Sequence, residues 1–142
     1  MHIVRSTADD LPDVEALLRD AGLPLVGVPA AVRTGVVARE GDALVGTAAL
    51  EQYGAAALLR SVAVRTSDQG TGIGRALVSS IEDLARDMDI QELFLLTETA
   101  GAWFARLGYV PVARSSLPAS ILASDEVTVA CSESAVTMRR AI

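Results

Sequence analysis

The stretch "SVAVRTSDQGTGIGRALVSSIEDLA", Ser61 to Ala85, constrains this chain more than any other. It passes from an apolar, strand-like run through Gly70, Gly72 and Gly74 into an amphipathic helix. Alternating glycines suit neither a strand nor a helix; they suit a backbone that bends tightly and lets a ligand reach its N–H groups. A strand that runs directly through such a turn into a helix aims several free N–H groups at one point. The helix dipole adds about half a positive charge there. Phosphate is the group such a point attracts. Arg75, in the first turn, offers charge-assisted hydrogen bonds to the same anion.

The remaining pattern predicts a scaffold for that turn. "HIVRS" reads as a short strand, and Leu11, Val14, Leu17, Leu18 and Ala21 fall on one face of a helix ended by Gly22 and Pro24. Residues 25–34 read as a loop with at most a turn of helix. "GVVARE" and "DALVGTAALE" read as strands joined by a turn at Glu40-Gly41-Asp42, and "AAALLRSVAV" as a strand buried on both faces. After the glycine helix come a strand "ELFLLTE", a short helix "AGAWFARLGY" ended by Gly108, a strand "YVPVARS", a loop around Leu117-Pro118 and a last strand near "AVTMRR". The expectation is an α/β fold, one domain over residues 1–142, with a mixed sheet covered by helices.

Several function classes are excluded. A net charge of −6 and only one Trp, two Tyr and two Phe argue against a nucleic-acid partner. Charge or glycine interrupts every apolar run, and the N-terminus lacks the layout of a signal peptide, so no membrane partner and a cytoplasmic location are expected. Cys131 is the sole cysteine and His2 the sole histidine, which leaves no multi-ligand metal site and no histidine base. Cys131 reads as a small buried hydrophobe.

Two familiar phosphate loops fail against the spacing. A dinucleotide fingerprint G-x-G-x-x-G, begun at Gly70 and Gly72, meets Arg75 where its third glycine belongs. A P-loop needs a lysine, and the chain has none: all twelve basic residues are arginine.

What remains is Q-x-x-G-x-G, Gln69 to Gly74, after the strand "LLRSVAV". Thirty residues on, Ala100, Trp103, Phe104, Gly108 and Tyr109 spell A-x-x-[LW]-[YF]-x-x-x-G-[FY]. Both motifs, in this order and over almost the whole chain, resemble the GNAT acyltransferase superfamily. "LVGTAALE", "ALLRSVAV", "LLTETAGAWFARLGY", R-S-x-L-P and C-x-x-S-A-V-T-M resemble in particular the acetyltransferases encoded with bacterial arsenic-resistance genes, and more distantly the acetyltransferase domain of N-acetylglutamate synthase.

The resemblance implies a sheet that splays where two parallel strands part, with acetyl-coenzyme A entering the split. It implies that Gln69, Gly70, Thr71, Gly72, Ile73, Gly74 and Arg75 hold the diphosphate. The backbone of Val62, Ala63 and Val64 would pair with the pantetheine arm, Ala63 or a neighbour offering an N–H to the oxyanion. Thr97 stands where many members have a pantetheine-contacting asparagine. Phe104 stands where many have a tyrosine that protonates the departing thiolate. Phenylalanine cannot do that, and Tyr53 and Tyr109 are the alternatives, Tyr109 reading better as core. Trp103 reads as packing.

Glu51, ending the strand "VGTAALE", is either a solvated strand end or the general base. Arg60, in an apolar strand, is either paired with Glu51 or another acid, or reaches into the cleft to hold a substrate oxyanion; the cleft is the expectation. Arg114, with Ser115 and Ser116, borders either the acceptor site or only a surface loop. The implied function is N-acetylation of a small primary amine, amino-acid-like (arsinothricin, phosphinothricin or glutamate), without metal and as a homodimer. The competing reading is a non-catalytic acyl-coenzyme A sensor or partner-binding module.

Overall fold

The glycine turn sits between the two strands that organise everything else. The structure, a computed structural model, describes residues 1–130 and 133–142; Cys131, and the buried role expected for it, lie outside the described residues. In chain order the elements are β1 (His2–Arg5), α1 (Leu11–Asp20), α2 (Val28–Ala31), β2 (Gly35–Glu40), β3 (Ala43–Tyr53), β4 (Ala56–Val64), α3 (Ile73–Asp87), β5 (Glu92–Thr97), α4 (Gly101–Arg106), β6 (Val110–Val112), α5 (Ala119–Leu122) and β7 (Val136–Ala141). The strands form one seven-stranded sheet in the order β1-β2-β3-β4-β5-β7-β6. β4 and β5 pair in parallel, and the other neighbours are antiparallel. The mixed α/β sheet expected from the sequence is the fold observed.

Side-chain alternation gives the sheet two covered faces. On one, Ala57, Leu59, Leu93 and Leu95 pack with Ile73, Leu77, Val78, Ile81, Leu84 and Ala85 of α3 and with Phe104 and Tyr109. On the other, Val37 and Ala63 meet Val14, Leu17 and Leu18 of α1 and Val28 of α2. Further along that second face, Ala56, Leu58 and Phe94 meet Leu117, Ile121 and Val127. Alternation along β4 therefore puts Arg60 on the second face, between these two clusters.

β4 and β5 stay paired only through Ala56↔Glu92, Ala57↔Leu93 and Leu58↔Phe94. Beyond Leu58 they part, and among the described residues the edge of β4 over residues 59–64 has no strand partner on that side. A β-bulge falls in the same stretch. Ala49 pairs with Arg60 and Thr47 with Ala63, so Ser61 and Val62 together oppose Ala48. Ser61 takes a left-handed conformation, φ +57°. The extra residue resets the alternation: Val62 and Val64, not Ala63, return to the α3 face.

Two expectations need correction. β6 is only Val110–Val112, because Tyr109 turns inward to the core and Arg114 begins a 3-10 turn, Arg114–Ser116. The tail is not a plain loop: α5 and a π-helical turn, Glu126–Ala130, precede the last strand. In the sheet, β7 inserts between β5 and β6.

Candidate active site

The parting of β4 and β5 opens a cleft of about 720 Å³. Of the residues the resemblance assigns to the cofactor, Val62, Ala63, Val64, Gln69, Gly70, Gly72, Gly74, Arg75, Thr97 and Phe104 line it. Thr71 and Ile73 do not: Thr71 is exposed with its hydroxyl donating to the Asp68 carbonyl, and Ile73 is buried in the core.

The loop at the cleft mouth is braced from within. Arg65 Nε donates to Asp68 Oδ2 at 2.6 Å, and Gln69 Nε2 donates to the Val64 carbonyl at 3.1 Å. Gly70 and Gly72 adopt φ +79° and +90°, a region that disfavours any side chain with a Cβ. Gly72 is the N-cap of α3, and the N–H of Ala76 is the one that bonds back to its carbonyl, at 3.1 Å. The N–H groups of Ile73, Gly74 and Arg75 thus have no acceptor within the helix. Gly74 serves a different end: a Cβ there would meet Trp103 at 3.0 Å, so its absence lets α4 approach the start of α3. Exposed Arg75 lines the same mouth. This set of outward amides, bare glycine backbone and a guanidinium fits a diphosphate.

At the inner end, Thr97 Oγ1 accepts the Ala100 N–H at 3.0 Å, leaving its O–H as the group it can offer a ligand. Phe104 is buried edge-to-face between Trp103 and Tyr109, at ring separations of 4.9 and 5.7 Å. Tyr109 does not line the cleft; its hydroxyl donates to Glu82 Oε2 at 2.9 Å, within the core.

Arg60 and Glu51 are brought together. Opposite partners in an antiparallel pair share a face, and Ala49↔Arg60 and Glu51↔Leu58 put both side chains on the second face. Arg60 Nη1 donates to Glu51 Oε2 at 2.6 Å, and Nη2 lies 3.1 Å from Glu126 Oε2. Nη2 also donates to the Val26 carbonyl at 2.6 Å, and Nε to Ser61 Oγ at 3.1 Å. With a side chain 1% exposed, the guanidinium is a buried ion with a partner at each of its three nitrogens, as such burial requires. Arg60 is thus paired with acids and also lines the cleft. The other oxygen of Glu51 accepts the Tyr53 hydroxyl at 2.7 Å. Burial, then the adjacent Glu51 carboxylate, pushes that phenol up to about 12.

A second cavity, about 610 Å³, opens on the far side of this cluster. Gly27, Ala30, Ala31 and Thr34 around α2, Leu50 to Tyr53, and Ala123 to Asp125 line it. Glu51 lines this second cavity, and Arg60 and Glu126 line the cleft, so the ion-paired cluster is the wall between them. Arg114 lines neither.

Sequence reasoning missed Glu126, Ser61 and Gly27. Glu126 lies in a stretch without strand or helix periodicity. Gly27, φ +78°, comes so close to Arg60 that a Cβ would sit 2.7 Å from Nη1. A lone arginine in an apolar strand was the available signal that acids and carbonyls must converge on it. Among the described residues no helix is long and apolar enough to cross a membrane.

Comparison with known proteins places this geometry. The structure superposes on N-acetylglutamate synthase from Neisseria gonorrhoeae, solved with coenzyme A and N-acetyl-glutamate, with a TM-score of 0.85 at 23% identity over 99% of this chain. The chain spans 34% of that protein's length. A Mycobacterium tuberculosis protein solved with CoA and NLQ matches at TM-score 0.80 and 24% identity, over 100% of this chain and 99% of that one. PaiA N-acetyltransferase from Thermoplasma acidophilum, solved with coenzyme A, matches at 0.71 and 14%, over 99% and 98%. These likenesses are in fold. A family model described as "Acetyltransferase (GNAT) domain" matches residues 32–111 directly, from the end of α2 through the cleft to β6, and the chain belongs to that family.

Proposed function

We propose that this protein transfers acetyl from acetyl-coenzyme A to the primary amine of a small molecule. The observation that carries the reading is the junction: a diphosphate-compatible cleft and a second cavity meet at a wall carrying Glu51. Glu51 acts as general base, directly or through a water, taking a proton from the acceptor ammonium. The free amine then attacks the thioester carbonyl, whose oxygen takes N–H donation from the unpaired edge of β4 near Ala63. Collapse releases the amide and the thiolate. Phe104 supplies no proton to that sulfur, and a thiol of pKa about 8.5 leaves adequately without one.

We take the acceptor to be amino-acid-like, of the arsinothricin, phosphinothricin or glutamate kind. Support comes from the carboxylate of Glu51 lining the second cavity, which suits the ammonium of such an acceptor, and from the fold shared with a synthase solved with N-acetyl-glutamate. The protein acts as a homodimer in this reading, supported by exposed Val110 on edge strand β6 and Val136 on β7. Phe104 favours one alternative, an acyl-coenzyme A sensor without turnover.

A thiol-release assay with acetyl-coenzyme A and a panel of amino acids, phosphinic and arsenical analogues and diamines separates the two. We expect turnover with at least one amine, and a loss of kcat of about tenfold or more in Glu51→Gln. Cofactor binding without thiol release from any amine would leave the sensor. Unchanged rates in Glu51→Gln would remove the base.

A further inference from the structure

We infer, on the acetyl-transfer reading above, that Ser61 is a further catalytic residue. Its hydroxyl donates to the thioester carbonyl oxygen and, beside the β4 amides, stabilises the negative charge that develops there. The cleft has two ends. The glycine turn and Arg75 form its mouth, and it closes where β4 and β5 pair at Leu58↔Phe94. Residues 59–64 of β4 line it between those ends. The acceptor nitrogen reaches the cleft from the second cavity, past the wall that Glu51 and Arg60 form. The reacting carbonyl therefore belongs at the Arg60 end of this stretch, and Ser61 is the next residue along it.

Ser61 Oγ accepts the Arg60 Nε–H at 3.1 Å. A guanidinium only donates, so the direction of that bond is fixed and the serine keeps its own O–H to give. Among the described residues no group accepts that hydrogen. Accepting from a cation draws electron density off the oxygen and makes the O–H a stronger donor. Thr97, the other half-buried hydroxyl lining the cleft, accepts from the neutral Ala100 amide instead. The polarised hydroxyl of the cleft is Ser61.

The backbone supports the same assignment independently. At φ +57° Ser61 occupies the left-handed region, where a glycine would sit without strain. A serine there accepts the strain and keeps a hydroxyl at the bulge, and backbone strain of this kind gathers where a group must be held for chemistry. The guanidinium behind it is already fixed, by Glu51 Oε2 at 2.6 Å and the Val26 carbonyl at 2.6 Å. The donor is thus aimed and polarised before the reaction begins, and nothing has to reorganise as charge moves onto the carbonyl oxygen. No proton is transferred: the hydroxyl keeps its hydrogen while the C–N bond forms and the C–S bond breaks.

Infrared difference spectra of the protein loaded with acetyl-coenzyme A, labelled with carbon-13 at the acetyl carbonyl and without any amine, read the hydrogen bonding of that oxygen. We expect the wild-type carbonyl band below its frequency in free acetyl-coenzyme A, and the band of Ser61→Ala moved back toward the free value. In turnover, Ser61→Ala loses about a hundredfold in kcat, the usual cost of one oxyanion donor. Its acetyl-coenzyme A KM holds within about twofold, since the lost interaction strengthens only as the charge forms. Ser61→Gly removes the hydroxyl and relieves the strained φ, so it serves if Ser61→Ala proves unstable. It should show the same band and the same loss, whereas a purely structural serine would leave both at wild-type values. A wild-type band or kcat in either folded variant overturns the assignment and leaves acetyl transfer standing, as does a wild-type band undisplaced from the free value. A displaced band that Ser61→Ala restores, in a wild type that releases thiol with no amine, would end the acetyl-transfer reading and leave the hydrogen bond standing on the spectrum.

Discussion

Single residues in this chain are set by what they are forced to pair with. Tyr109 occupies the aromatic position that closes the second motif, and its hydroxyl shares Glu82 Oε2 with Arg140 Nη1, at 2.9 and 2.7 Å. Burial, and then the Glu82 charge, pushes that phenol far above the usual tyrosine value of 10.0. Tyr53, at about 12, is displaced the same way by burial and by Glu51. In both, the folded state holds the proton more tightly than the unfolded chain. Their contribution to stability is therefore complete below pH about 10 and lost as pH rises from there through the folded values. Urea unfolding at stepped pH should show stability falling above pH about 10. Tyr109→Phe, which loses about 1 kcal/mol near neutrality with its hydrogen bond, should flatten that fall. An equally steep fall in the variant would contradict the assignment. Residue identity predicted the core role of Tyr109, but nothing local to Glu126 announced that it would close on Arg60.

At the level of elements, legibility tracked periodicity. "GVVARE" is β2 residue for residue, and the helical spacing from Ile73 to Ala85 is the buried face of α3. A hydrophobicity pattern overruns β6 because Tyr109 and Val110 look alike to it, though one is buried and the other exposed. α5 leaves no periodic signal because four residues after Pro118 hold too few turns to show a period. The bulge in β4 left no trace either, since Ser61 is an ordinary strand residue in composition. Its backbone is not ordinary, and a β-branched side chain is strongly disfavoured at φ +57°. Ser61→Val should lower unfolding free energy by about 1–2 kcal/mol and raise the acetyl-coenzyme A KM, because the bulge sets which β4 groups face the cleft. Normal stability and KM in Ser61→Val would mean that the bulge is incidental.

Across the whole molecule, function follows from one topological fact. Two parallel strands are paired at their starts and free at their ends, and the helix that connects them begins with bare amides at the opening. The mixed sheet and the glycine turn were visible in the sequence because both depend on local pattern. The insertion of β7 between β5 and β6, and the second cavity behind Arg60, depend on contacts between distant segments, which no window of sequence contains.

The central claim is that the backbone from Gln69 to Arg75 receives the diphosphate of coenzyme A. Hydrogen–deuterium exchange with and without coenzyme A tests it most directly. The account predicts slowed exchange at the amides of residues 70–75 and along residues 59–64 of β4. Saturable binding that leaves the exchange of both segments unchanged would contradict it.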